Sequence, residues 1–114
     1  MLIDLRIQYA FQGNIHSGSL INVNPEGCVI EGEAKADIGD VLFLSFEKGI
    51  PLGGFKSKVV GQTFQKEGWS MVMYFIELGN EEKAMLFDRI AYFSFLQEKL
   101  RNKMEEQTVE EGRI

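Results

Sequence analysis

The sequence predicts a mostly β fold: a six-stranded antiparallel β-barrel followed by one C-terminal α-helix. Six short apolar segments lie between residues 2 and 78, and turn-forming residues separate them at regular intervals. This spacing favours a small barrel over a layered α/β sheet. From Glu81 to about Met104 there is no glycine or proline, and apolar residues recur every three or four positions, as in an amphipathic helix. With 114 residues, 45% of them hydrophobic, the chain is long enough for one domain with its own core.

The first strand is predicted over residues 2–11, because apolar and polar residues alternate there. Its apolar face carries Ile3, Leu5, Ile7, Tyr9 and Phe11. This alternation is typical of a half-buried strand. Gln12-Gly13-Asn14 then favours a hairpin turn into a second strand over Ile15–Val23, and a third strand is predicted from Cys28 to about Glu31.

The turn between the second and third strands, residues 22–27, has several features that favour a tight bend. Pro25 fixes φ at a value that opens a turn, and Gly27 accepts the positive φ that closes one. The side chains of Asn22 and Asn24 are each expected to bond a backbone N–H two residues further on. Taken alone, these features predict an ordinary connection between strands.

Three more strands complete the predicted barrel. Val41–Phe46 is apolar almost throughout, which predicts a strand covered on both faces. After a loop at residues 49–54, with the sequence GIPLGG, the last two strands are predicted over Phe55–Phe64 and Trp69–Leu78. A tight polar link at residues 65–68 joins them.

The predicted helix follows Gly79, with Asn80 as its N-cap and Glu81 and Glu82 at the positive end of the helix dipole. We therefore predict a single domain over residues 1–104, with the barrel at about 1–79 and the helix at about 80–104. Residues 105–114 contain four glutamates and a glycine and are predicted to form a flexible acidic tail.

Two apolar stripes run along the predicted helix, and we expect the barrel to cover one side of it. We predict that a second copy or another protein covers the other side, because so apolar a patch rarely stays in water. The alternative is that the 49–54 loop or the N-terminal strand folds over the second stripe. The first stripe is Leu86, Ile90, Phe93, Leu100 and Met104, and the second is Phe87, Ala91 and Phe95. The predicted interaction residues are Leu86, Phe87, Ile90, Phe93, Leu96, Leu100 and Met104.

Composition argues against several classes of protein. The net charge of −5 and the pI near 4.9 disfavour nucleic-acid binding, which depends on clustered Lys and Arg. The nine Phe and one Trp are expected to fill a barrel interior rather than to stack on bases, as exposed aromatics do in OB-folds. No signal peptide and no apolar run of membrane-spanning length is recognised. A single cysteine, Cys28, is consistent with a reducing cytoplasm.

The sequence does not predict an enzyme. His16 is the only histidine, and Cys28 lies in an apolar run where a thiol is expected to be buried and inert. Nothing in their spacing indicates a nucleophile–base pair. Without an HExxH, CxxC or DxD pattern, no metal site is predicted, and no cofactor is required.

Four stretches, in order along the chain, resemble the PilZ domain family. Asn22-x-Asn24-x-x-Gly27 is similar to the family's D/N-x-S-x-x-G turn, and Gly39–Leu44 to its G-D-x-L-x-L strand. Lys58–Gly61 resembles the A-x-V-V strand, and Trp69–Leu78 resembles the strand Y-x-x-G-x-x-F-x-x-L, with Phe75 and Leu78 in place. The resemblance covers about residues 1–100. It implies a six-stranded barrel that binds the bacterial second messenger cyclic di-GMP through an R-x-x-x-R loop before the first strand and through the turn.

The chain departs from this family where the nucleotide would bind. The first strand starts at Leu2, and Arg6 is followed four positions later by Ala10 instead of arginine. Asn24 stands where the family has Ser, and Val72 where it has Gly. Guanidinium groups stack on guanine and bind phosphate in a bidentate manner, so their absence disfavours the ligand.

The resemblance therefore leads us to expect a cytoplasmic regulatory or adaptor domain that acts by protein contact in bacterial cyclic di-GMP-related signalling, pilus or motility control. Weak or absent cyclic di-GMP binding by the isolated chain is expected. The alternative is a cyclic di-GMP sensor that uses Asn22, Asn24 and Gly27 together with arginines from a partner. A third hypothesis is an unrelated barrel that serves as an assembly subunit.

Overall fold

The computed structural model describes residues 1–46, 53–65 and 68–111, with side chains as far as Met104. Six strands form a closed barrel in the order β1-β2-β3-β6-β5-β4, and every neighbouring pair is antiparallel. The predicted six-stranded barrel with a C-terminal helix is therefore confirmed. The elements are β1 (Leu2–Phe11), β2 (Asn14–Asn24), β3 (Gly27–Gly32), β4 (Val41–Phe46), β5 (Phe55–Gln65), β6 (Gly68–Phe75) and α1 (Asn80–Glu111).

The barrel interior is filled by alternate residues of each strand, as the period of two requires. On β1 the predicted inward face is confirmed: Leu5, Ile7 and Tyr9 are buried, and Ile3 and Phe11 pack against the core. The other large, fully buried side chains are Leu20, Val23, Ile30, Leu42, Leu44, Val59, Met71, Met73 and Ile90.

The β1–β2 hairpin closes with a two-residue loop. Phe11 pairs with Asn14, which leaves Gln12 and Gly13 as the central residues, with φ of 53° and 78°. Positive φ at both central positions matches the right-handed twist of the flanking strands. The predicted turn at residues 12–14 is confirmed.

Two strand predictions need correction. β6 ends at Phe75, not Leu78, and Glu77 takes a φ of 60°, which is incompatible with an extended strand. β4 is not covered on both faces, because Val41 and Phe43 point out of the barrel and are 49% and 47% exposed. The apolar run therefore predicted the position of the strand correctly, but the predicted burial of its outer face was wrong.

The helix begins with a cap one residue earlier than predicted. The carbonyl of Gly79 accepts the N–H of Lys83 at 2.9 Å, so Gly79, not Asn80, is the N-cap. The N–H of Gly79 in turn donates to the side chain of Glu82 at 3.3 Å, which is half of a capping box.

α1 also extends further than predicted, to Glu111 instead of about Met104, because no glycine or proline interrupts the sequence before Gly112. Most of the predicted tail is therefore helical. The described residues do not include residues 112–114 of the predicted tail, residues 49–52 of the predicted loop, or residues 66–67 of the predicted link.

α1 lies across the end of the barrel where β1 and β5 begin. Residues from the start of β1 flank one side of the helix, and Gly53, Gly54 and Phe55 flank the other. Ile90 is fully buried in the core at this end. Within the described part of the chain, no helix is both long and apolar enough to cross a membrane.

Candidate functional site

The turn between β2 and β3 is tighter than the sequence suggested. Asn24 and Gly27 pair across the end of the hairpin, so only Pro25 and Glu26 lie in the loop. The side-chain oxygen of Asn24 accepts hydrogen bonds from the N–H groups of Glu26 at 2.8 Å and Gly27 at 3.0 Å. The bond predicted from Asn24 is confirmed, and it stabilises the bend.

Asn22 and Gly27 have roles that differ from those predicted. Asn22 lies within β2, and its side-chain oxygen accepts a hydrogen bond from the backbone nitrogen of Met1 at 3.0 Å. Gly27 does not have a positive φ. A Cβ at Gly27 would overlap the carbonyl oxygen of Met73 on β6. The close approach of two strands, rather than the turn, therefore requires this glycine.

The turn borders an open cleft of about 510 Å³ on the outside of the barrel, which we call the turn cleft. Val29 of β3 and Val72 and Tyr74 of β6 supply its apolar lining, and Asn22 and Asn24 contribute polar groups. The structure thus places all three residues of the predicted ligand-binding turn beside one concave surface.

The turn cleft is poor in positive charge. Among the described residues that line it, Glu26 is the only charged one, and its carboxylate forms an ion pair with Lys83 of α1 at 3.4 Å. Arg6 instead lines a separate cleft of about 420 Å³, together with Glu31 and Trp69. An anionic ligand in the turn cleft would therefore meet a carboxylate and no arginine of the described chain.

The structure does not bring Cys28 and His16 together. Cys28 pairs with Val23 on β2, while His16 lies seven residues earlier on the same strand, roughly 23 Å away at the usual rise per residue. Burial raises the pKa of the Cys28 thiol to about 12, so it stays protonated near neutral pH. His16 lies against the rings of Tyr9 and Phe11, with centroid distances of 5.4 and 5.2 Å.

The predicted interaction residues of α1 fall into two groups. Ile90 is fully buried, and Leu86, Phe87 and Phe93 are half-buried and pack against the core, so these four mainly attach the helix to its own barrel. Leu96 is half-buried. Leu100 and Met104 are 62% and 68% exposed, and Phe95 of the second stripe is 59% exposed.

Sequence reasoning missed an exposed apolar surface on the barrel. Six large apolar side chains on β4, β5 and β6 are exposed, whereas the sequence predicts full burial of β4 and no role for the outer faces of β5 and β6. The alternation within β6 was the available signal, since Val72 and Tyr74 occupy the face opposite the buried Met71 and Met73.

Among the described residues, no group of three or more His, Cys, Asp or Glu side chains is arranged to hold a metal ion.

No protein-family model matches the sequence, and no curated protein matches it with significant similarity. The molecule is thus defined by its architecture: a closed six-stranded antiparallel barrel with a long helix across one end.

Proposed function

We propose that this chain is a PilZ-like regulatory or adaptor domain that acts by protein–protein contact through α1. The setting we infer is the bacterial cytoplasm, in cyclic di-GMP-related signalling, pilus or motility control. The observation that carries the proposal is the apolar surface that α1 leaves exposed after it has packed on its own barrel.

The exposed surface results from the length of the helix. Leu100 and Met104 are 10 and 14 residues beyond Ile90, which places them about 80° and 40° around the helix axis from it, on the barrel side. They lie about 15 and 21 Å further along the axis. Both remain mostly exposed, so the barrel-facing stripe continues past the surface that buries Ile90. A second helix or another protein surface fits this position.

The opposite side of α1 adds aromatic surface. Tyr92 and Phe95 are each 59% exposed, and the ammonium group of Lys99 lies 6.0 Å from the centre of the Phe95 ring. Aromatic side chains at an exposed position supply large contact area at low entropic cost, which is why they are enriched in interfaces. The 49–54 loop was the alternative cover for this side, and Gly53 and Gly54 lie near Met85 and Arg89, in the first part of the helix.

A variant pair in α1 tests the proposal. Leu100→Lys places a charge in the exposed apolar stripe and should leave the barrel folded, because the residue contributes nothing to the buried core. Asn102→Lys is the matched control, since it adds the same charge to an exposed position about 200° around the helix. We expect light scattering to show association of the wild type and the control but not of Leu100→Lys.

If the partner is a different protein, the wild type will be a monomer, and a photo-crosslinking residue at position 100 should then capture one defined protein in cells. A monomeric wild type with no crosslinked partner would contradict the proposal.

The turn cleft supports a second candidate function, a cyclic di-GMP sensor completed by a partner. The cleft has the three turn residues on one side and the exposed ring of Tyr74 on the other, which is a suitable surface for a planar base. Among the described residues its single charged lining residue is acidic, so phosphate groups would need arginines from another chain. This requirement is the reason we place the sensor second.

A further inference from the structure

Charged residues are few on the barrel strands and are unevenly distributed. β1 and β3 carry one acidic residue each, Asp4 and Glu31, and β2 carries none. β4, β5 and β6 contain no Asp or Glu in their described lengths. The only charged residues of these three strands are Lys56 and Lys58, although the whole chain has 17 acidic and 12 basic residues. We call the outward side of β4, β5 and β6 the β4–β6 face.

The β4–β6 face is also the most apolar part of the barrel exterior. The large exposed side chains of these strands are Val41, Phe43, Val60, Phe64, Val72 and Tyr74. Phe64, near the end of β5, is 69% exposed, and the other five are between 37% and 55% exposed. Scattered apolar residues are ordinary on a protein surface, but five on three adjacent strands form a contiguous patch.

The strand register places the two lysines among these apolar side chains. Val41, Lys58 and Tyr74 are successive partners across the three strands, so Lys58 lies between a valine and a tyrosine. In the next row Phe43 pairs with Lys56, whose ammonium group contacts Glu77 at 3.0 Å. Within the described residues Lys58 forms no ion pair.

The width of the face suits a single helix. Neighbouring strands are about 4.8 Å apart, so the span from β4 to β6 is about 10 Å, close to the diameter of an α-helix with its side chains. Gly61 has no side chain to project beside Val72, its partner on β6, so a helix can approach the sheet closely there.

From these observations we propose that the β4–β6 face binds an amphipathic helix of a protein partner, whose apolar side is flanked by acidic side chains. Its valine and aromatic residues would bury the apolar side, and Lys58, which forms no ion pair within the described residues, would attract the acidic flank. The surface is distinct from the exposed part of α1, so this inference goes beyond the proposed function and does not depend on it.

Charge argues against two other occupants. Residues 98–104 of this chain's own helix, which include the exposed Leu100 and Met104, carry Lys99, Arg101 and Lys103 against one acidic residue, Glu98, so this segment of a second copy would bring like charges to the face. An anionic bilayer is an extended surface that would also approach the acidic side chains bordering the face, Glu77 beside Lys56 and Glu26 in the cleft that Tyr74 lines. A single acidic helix instead interacts mainly with the local lysines, because salt screens charges beyond about 10 Å.

The test uses a synthetic helical peptide with leucines on one side and glutamates on the other, titrated into the isotope-labelled full chain. We expect amide NMR shifts to map to Val41, Phe43, Val72 and Tyr74. Lys58→Glu should weaken binding by about two- to fivefold or more, as for loss of an exposed ion pair, and added salt should weaken wild-type binding. Ser17→Glu is the control, since it adds a negative charge to β2, on the opposite side of the barrel from β5, and should have little effect.

Two comparisons make the test decisive. A peptide with the same leucines and with lysines in place of the glutamates should bind more weakly than the acidic peptide. Vesicles containing anionic lipid should leave the signals of the β4–β6 face unchanged. The proposal is overturned if the acidic peptide does not bind at millimolar concentration, if the basic peptide binds equally well, or if the vesicles alone perturb the face.

Discussion

Removing the hydroxyl of Tyr9 should measurably destabilise the barrel. This hydroxyl donates a hydrogen bond to the carbonyl oxygen of Ala34 at 2.8 Å and accepts one from the N–H of Ala34 at 2.9 Å. The two bonds attach the connection after β3 to the interior of the barrel. Tyr9→Phe keeps the ring and therefore most of the packing, so it isolates the contribution of the hydroxyl.

The size of the destabilisation follows from the backbone groups that lose their hydrogen-bond partner. Tyr9 is fully buried, and without its hydroxyl the N–H and carbonyl of Ala34 both lose their partner. Leaving a buried polar group unpaired costs about 1–3 kcal/mol. Ala34 is only half-buried, so water replaces part of the loss, and we expect a decrease of about 2 kcal/mol in the free energy of unfolding.

Urea denaturation followed by the fluorescence of Trp69 measures this change. With a slope of about 1.5 kcal/mol per molar urea, a loss of about 2 kcal/mol lowers the midpoint by roughly 1.3 M. Tyr74→Phe is the matched control, because Tyr74 is 55% exposed and its hydroxyl has no hydrogen-bond partner in the described part of the chain. A midpoint shift as small in Tyr9→Phe as in Tyr74→Phe would refute the reasoning.

Three further outcomes are expected. Gly27→Ala should prevent stable folding, because its Cβ overlaps the carbonyl oxygen of Met73. Gly61→Ala should change the thermal midpoint little, because its Cβ would lie 3.6 Å from the side chain of Val72, an ordinary van der Waals contact. The folded state keeps the Cys28 thiol protonated up to about pH 12, while the unfolded chain loses that proton above about pH 9. Stability should therefore fall by about 1.4 kcal/mol per pH unit from pH 9 to 12, and less steeply in Cys28→Ala, as measured by urea titrations at each pH. Calorimetry at low salt should show no tight cyclic di-GMP binding to the pure chain; a stoichiometric, tight isotherm would contradict our reading of the turn cleft.

The number, order and type of the elements followed from the sequence, because the signals for them are local. The alternation in β1 and the Gln12-Gly13 hairpin act over a few residues, and the same forces act in the folded barrel. The Asn24 side chain likewise bonds atoms within three residues of itself. Such contacts depend little on the rest of the molecule.

The candidate site was predictable only in part, because only some of its contacts are between residues that are close in sequence. Asn22, Asn24 and Gly27 were recognised as one turn, yet the lining of the turn cleft by Val72 and Tyr74 depends on the pairing of β3 with β6. Those strands are neighbours in space although two strands separate them in sequence. No local pattern specifies that pairing.

Only the tertiary structure decided which apolar side chains are buried. The apolar run around Val41 and Phe43 predicted that both are buried, but the closed barrel has an outer face that the described chain does not cover. Ile90 and Leu100 belong to the same predicted apolar stripe of the helix, but the barrel ends between them. Ile90 is therefore buried and Leu100 is exposed. Apolarity in a sequence specifies a tendency to leave water, whereas the size and closure of the barrel decide which residues do so within one chain.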